Sequence, residues 1–94
     1  MNRNEVLNKA ISTWGYMIQE DICIEEMSEL TKAIIKNRRN QDMAVSGRID
    51  SIREEIADVQ IMLDQMRIVY GSTSSQEEAK LERLAKRLGC DYNA

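Results

Sequence analysis

Histidine is absent from this 94-residue chain, and so is proline. Without histidine there is no His–Cys zinc site, no His-based nucleophilic triad and no Glu-x-x-His motif of the di-iron helical bundles. Without proline, and with only 4 glycines, the chain has few places where a helix must stop. Aromatic side chains are scarce, limited to Trp14, Tyr16, Tyr70 and Tyr92, so the core must be built from Ile, Leu, Val and Met. The two cysteines, Cys23 and Cys90, lack CxxC spacing, which predicts a reduced, cytoplasmic protein. No apolar run approaches the roughly 20 residues of a membrane span, and residues 1–10 lack a signal peptide's apolar region. The net charge of −3 gives no general attraction to a nucleic acid polymer or an anionic membrane. With 43% hydrophobic and 31% charged residues the composition is globular, and the length predicts one domain over 1–94. A chain this short buries only about 60–65% of its unfolded surface and gains from self-association.

What is present is helical periodicity. Asn4 is placed to cap a first helix in which Val6, Leu7, Ala10, Ile11 and Trp14 recur at helical spacing. Gly15 is placed to kink or break it. A second helix is expected over Tyr16–Lys36, with Ile18, Ile22, Cys23, Met27, Leu30 and Ile34 as its apolar stripe. Residues 37–47, "NRRNQDMAVSG", read as a loop. A third helix is expected over Arg48–Tyr70, with Ile49, Ile52, Ile56, Val59, Leu63, Met66 and Tyr70 at spacings of three and four. "GSTSS" is a stop, and Ser75 followed by Glu78 fits a capping box for a fourth helix. Leu81, Leu84, Ala85 and Leu88 form its apolar side, and Gly89 can end it. The expected fold is an all-α four-helix bundle with its two long helices antiparallel.

Acids intrude where apolar residues belong. "EEMSEL" at 25–30 and "EEIADV" at 54–59 share one pattern: acid, acid, apolar, small, acid, apolar. In the series Ile22, Glu26, Glu29, Ala33 the ends are apolar and the middle members are acids. In Glu55, Val59, Met62, Met66 an acid heads an apolar row, and Asp58 lies at the edge of the same sector. Two ionised carboxylates about 4 Å apart repel by roughly 4 kcal/mol at an effective dielectric near 20. Acids converging inside a helical pair must therefore be protonated, neutralised by Arg or Lys, or bound to a divalent cation. An all-oxygen site without His or thiolate selects a hard ion such as Mg²⁺ or Mn²⁺.

Glu25-Glu26-x-x-Glu29, a spacer, then Glu55-x-x-Asp58 resembles the EExxE…ExxD motif of the MazG-like all-α nucleoside triphosphate pyrophosphohydrolases. "TWG" at 13–15, "EEIADVQIML" at 54–63 and "KLERLAKRL" at 80–88 are also similar to small bacterial or phage members, so the resemblance covers most of the chain. It implies a Mg²⁺-dependent enzyme, with Mn²⁺ as a substitute, that cleaves a nucleoside triphosphate to the monophosphate and pyrophosphate. By position, Glu26, Glu29, Glu55 and Asp58 would ligate the metal and Glu25 would orient or deprotonate the attacking water. Lys80 and Arg83, with Arg87 on the same side of the fourth helix, resemble the family's basic signature and would meet the phosphates. The asparagine that larger members carry two positions before that lysine is Glu78 here. Trp14 would stack on the nucleobase with Tyr16 or Gln19 beside it, although a lone Trp on an apolar face is more commonly core.

Ile61 and Ile68 on the third helix, and Ile24 and Ile35 on the second, lie off the main stripes. A second apolar seam predicts subunit contact, and the resemblance likewise implies a homodimer or homotetramer. Two other functions stay open from sequence: a hydrolase acting on phosphoribosyl-ATP or a modified nucleotide, and a non-enzymatic helical interaction module.

Overall fold

The computed structural model describes residues 1–39 and 46–93. Among these there are four α-helices and no strand: α1 Arg3–Trp14, α2 Tyr16–Arg39, α3 Ser46–Tyr70 and α4 Ser74–Arg87. Helices α2 and α3 outrun their expected bounds, taking Asn37, Arg38 and Arg39 at one end and Ser46 and Gly47 at the other. The basic end of α2, Lys36, Arg38 and Arg39, complements the helix dipole and supports the extension. The remainder of the expected loop, 40–45, lies outside the described residues. No helix is long and apolar enough to cross a membrane among the described residues.

Local chemistry explains the boundaries. The first cap is Asn2 rather than Asn4. Asn2 has the extended backbone a cap needs, and its Oδ1 accepts the Glu5 amide at 2.9 Å. Asn4 lies inside the helix, where its carbonyl accepts from Asn8 Nδ2. Between α1 and α2 the chain turns on a single residue, Gly15, at φ 89°. That left-handed conformation is strained for any L side chain. At the α3–α4 corner the expected capping box at Ser75 and Glu78 does not form. Helix α4 begins two residues earlier, behind Thr73 rather than Ser75. Thr73 Oγ1 accepts from Arg67 Nε at 2.9 Å and donates to Glu77 Oε2 at 2.5 Å, so the hydroxyl serves the corner. Glu78 instead accepts from the Tyr92 hydroxyl at 3.2 Å. Helix α4 ends in a Schellman pair, Cys90 N–H to Ala85 O and Gly89 N–H to Lys86 O, both 3.0 Å.

Helices α1, α2 and α3 pack together, with α2 against α3 as the principal contact. Asn37 meets Arg48 at 3.2 Å near one end, and Glu20 accepts from the Tyr70 hydroxyl near the other, so α2 and α3 run antiparallel. The buried apolar residues are few: Leu7, Cys23, Val59, Met62 and Ala85. The row Glu55, Val59, Met62, Met66 does face inward, with Val59 and Met62 buried and Glu55 and Met66 half-buried. Ile22, Glu26, Glu29 and Ala33 on α2 are likewise all half-buried. Much of the expected apolar stripes is exposed instead, Ile18, Met27 and Ile34 on α2 and Ile49, Ile56 and Tyr70 on α3. Helix α4 makes no packing contact with the other three helices among the described residues, so the chain's own core is a three-helix one.

Candidate metal centre

Glu26 lies at the middle of α2, and Glu55 and Asp58 lie one turn apart on α3. The antiparallel pairing sets them level. One carboxylate oxygen from each lies within 4.8 Å of the others, so the three acids converge across the helix–helix seam. Glu26 and Glu55 are half-buried and Asp58 is exposed at the edge. Glu55 Oε2 is buried and has no hydrogen-bond partner. A buried carboxylate oxygen left without a donor is costly, which makes this atom the sharpest feature of the seam.

The electrostatics agree. The Glu26 carboxyl is pushed above the ordinary carboxylate range, first by burial and then by the charges of Asp58, Glu55, Glu25 and Glu29. Ion pairs among the described residues include Arg3 with Asp64, Lys32 with Glu29, Arg53 with Asp50 and Arg67 with Asp64. None of them falls on the three converging acids.

The donor set fits a hard divalent ion. All three donors are carboxylate oxygens, the ligand chemistry that suits Mg²⁺ or Mn²⁺. Of the four acids expected as ligands, three are brought together. Glu29, a turn further along α2, points to Lys32 Nζ at 3.4 Å. Its charge still reaches Glu26. Glu25 is exposed on α2 beside Glu26 and adds to the same field.

The residues expected to bind the rest of a substrate are dispersed. Trp14 ends α1 and is exposed, so it is not core within the single chain. Gln19, only 2% exposed, lies under the surface seven residues before Glu26, with its Nε2 unpartnered. Lys80 and Arg83 are exposed on α4, apart from the three-helix core.

Two polar features went unforeseen. Gln65 is 4% exposed on α3, with Oε1 unpartnered and Nε2 against Met62 Sδ at 3.7 Å. Its signal in sequence is the one that marked the acids, a polar residue three positions after a buried Met62. The second is Asp64, which gathers Arg3 from α1 and Arg67 from α3. Nothing local in the sequence pairs residue 3 with residue 64. Compared with known proteins, the chain matches no family model, no curated protein and no solved structure.

Proposed function

We propose that this chain is a divalent-metal-dependent nucleoside triphosphate pyrophosphohydrolase of the MazG-like kind, releasing the monophosphate and pyrophosphate. The observation that carries the reading is the convergence of Glu26, Glu55 and Asp58 within 4.8 Å, with a buried Glu55 oxygen that no protein donor satisfies. A group of exposed acids is common without an ion. A group with two of its three acids half-buried at a helix seam, an orphaned oxygen and a raised carboxyl, is harder to account for by solvation alone.

Glu26, Glu55 and Asp58 would hold Mg²⁺ or Mn²⁺, with Glu29 one turn away as a further acid. When bound, the ion supplies positive charge to phosphate oxygens and lowers the pKa of a coordinated water. The chain's own residues do the remaining work. Glu25, beside Glu26 and open to solvent, accepts a proton from the attacking water. Lys80 and Arg83 offer cations to the outer phosphates, and exposed Trp14 offers an aromatic face to the base. Phosphoanhydride hydrolysis asks a protein mainly for positioning and charge, so this reading requires Trp14, Lys80 and Arg83, dispersed in the single chain, to be brought to the acids when substrate binds.

The test is release of pyrophosphate and phosphate from a panel of ribo- and deoxyribonucleoside triphosphates and phosphoribosyl-ATP, with Mg²⁺, Mn²⁺ or EDTA. Metal-dependent pyrophosphate release that is lost in Glu55→Gln is expected. Silence across the panel, with no thermal shift from either metal, would overturn the reading in favour of an interaction module. Release only from phosphoribosyl-ATP would keep the metal site and change the substrate.

A further inference from the structure

Among the described residues, Glu55 Oε2, Gln19 Nε2 and Gln65 Oε1 are buried without a hydrogen-bond partner. The first belongs to the acid group. The other two belong to amides that the proposed chemistry does not use. Gln19 is only 2% exposed and Gln65 4%, more deeply buried than any of the three acids. Glutamine is ordinarily left in water, because an unmet polar atom in the interior costs stability. Two such residues on the paired helices α2 and α3 need a physical reason.

The helix register supplies one. In an antiparallel pair, a step forward on one helix is level with a step back on the other. Asn37 meets Arg48, and Glu26 meets Asp58. Gln19 lies seven residues before Glu26, and Gln65 lies seven residues after Asp58. Seven residues are two turns to within about 20°, so each glutamine repeats the helix face of its acid about 10.5 Å along the axis. Gln19 and Gln65 are therefore level across the same seam. Their free atoms are complementary, since Gln19 keeps an N–H donor and Gln65 a carbonyl acceptor. The other end of the Gln65 amide, Nε2, is against Met62 Sδ at 3.7 Å.

The rest of the seam is poor at fixing that register. Ile22, Cys23 and Ala33 on α2, and Val59, Met62 and Met66 on α3, are buried or half-buried aliphatic and sulfur side chains. Such side chains accept new apolar neighbours at little cost. A slip of one turn, about 5.4 Å, would keep much of their contact. It would also set Gln19 against Met62 or Val69, both apolar, and leave the two amides apart. The slip towards Val69 sets Glu26 level with Met62 and takes it away from Asp58. Buried polar side chains that meet in only one alignment fix register in coiled coils, at a cost in stability.

We infer that Gln19 and Gln65 pair across the seam, Gln19 Nε2–H donating to Gln65 Oε1 directly or through one enclosed water, and that this pair locks the register holding Glu26 opposite Asp58. Both are positioning residues, two turns along the seam from the acids they align. The lock itself is a property of the metal-free chain. Its use in catalysis rests on the proposed metal site.

The test is a double-mutant cycle in the full-length chain with Gln19→Met, Gln65→Met and both together, methionine keeping the length and volume of the side chain. Urea unfolding without metal reads the coupling. Each single variant should raise the unfolding equilibrium constant about tenfold, because it leaves the other amide buried and unpaired. The double variant should return to within about threefold of wild type, or unfold less readily. Interhelical nuclear Overhauser contacts read the register. Wild type should place Glu26 near the Val59 methyls and Ile22 near the Met62 methyl, while the double variant should show displaced contacts or a second set of methyl signals. Its Mn²⁺ dissociation constant should rise at least about tenfold although its stability does not fall. Additive single effects overturn the pairing. Coupled stabilities with wild-type contacts overturn the lock. Displaced contacts with unchanged Mn²⁺ affinity overturn the alignment of the acids. A wild-type chain that binds no Mn²⁺ overturns the metal reading alone, and the contacts still decide the lock.

Discussion

Helix α3 carries two carboxylate environments only six residues apart, and they are opposites. Asp64 accepts from Arg3 Nη2 at 2.6 Å, Arg67 Nη1 at 2.9 Å and Gln60 Nε2 at 3.1 Å, and its carboxyl is held below the ordinary range, chiefly by the Arg3 hydrogen bond. Asp58, a turn and a half earlier, joins Glu26 and Glu55 in a group of three acids, and there the Glu26 carboxyl is raised. The chain therefore has the means to neutralise a carboxylate on this helix, and uses them at Asp64. The proposed metal site rests on that difference: at the seam three acids converge, where at Asp64 two arginines meet one.

The largest expected effect breaks that contrast at the seam. Glu55→Gln should cost more than the 10–100-fold that losing an outer metal partner costs, because it removes a proposed ligand itself. Steady-state pyrophosphate release measures it. The same variant should melt no lower than wild type without metal, since one member of a repelling group is gone. Next in size is the metal itself. At about 100 times its dissociation constant a ligand stabilises by about 2.7 kcal/mol. For a chain of this length that is roughly 10 °C or more in the melting temperature. Differential scanning fluorimetry with Mg²⁺, Mn²⁺ and EDTA reads it, and the shift should vanish in Glu55→Gln. Persistence of the shift in that variant would place the metal elsewhere.

The reverse prediction falls on the satisfied site. Asp64→Asn removes the acceptor shared by Arg3 and Arg67. The Asp64 side chain is 27% exposed, so solvent recovers part of the loss. A cost of about 1 kcal/mol, seen as a melting decrease of roughly 4–8 °C, is expected. Metal stabilisation should survive unchanged. If Asp64→Asn also abolished the metal shift, the two environments would not be independent.

Helix number and type were legible because apolar residues recurred at three and four, with glycines at the breaks. The seam acids were legible for the complementary reason: Glu26 and Glu55 interrupt those rows, and an interruption has few cheap structural explanations. What failed was local competition between equivalent signals. Asn2 and Asn4 are both good caps, and only the backbone at Asn2 decides between them. Thr73 displaced Ser75 because Arg67, six residues earlier, reaches its hydroxyl. The destination of each apolar stripe was not legible either. Ile18, Met27 and Ile56 have the spacing of core residues and lie at the surface of the single chain. Periodicity identifies a face that avoids water without saying whether its own chain or another covers it. Glu29 shows the same limit at smaller scale, since its spacing suits the cluster but its carboxylate pairs with Lys32, three residues on.

The smallest effect sharpens the comparison through pH. Glu26 has a raised carboxyl in the fold, so its contribution to stability is fully present below its unfolded value near 4.5 and is lost as pH rises through the folded value. Asp64 is lowered, so its contribution is present above its unfolded value near 3.8 and is lost as pH falls through the folded one. Metal-free protein should therefore melt highest within the ordinary carboxylate range, between the two unfolded values, and melt lower towards neutrality. Saturating Mg²⁺ should reverse that slope, because the ion competes with the proton for Glu26 and favours its ionised form. Glu55→Gln should flatten the metal-free slope only partly, since burial outranks the neighbouring charges as the cause of the Glu26 shift. Asp64→Asn should leave that slope alone and remove the fall on the acid side. Melting curves at matched ionic strength separate the two arms. An acid-side fall that persisted in Asp64→Asn would assign it to other carboxylates, and a neutral-side slope unchanged by both Mg²⁺ and Glu55→Gln would detach it from the seam.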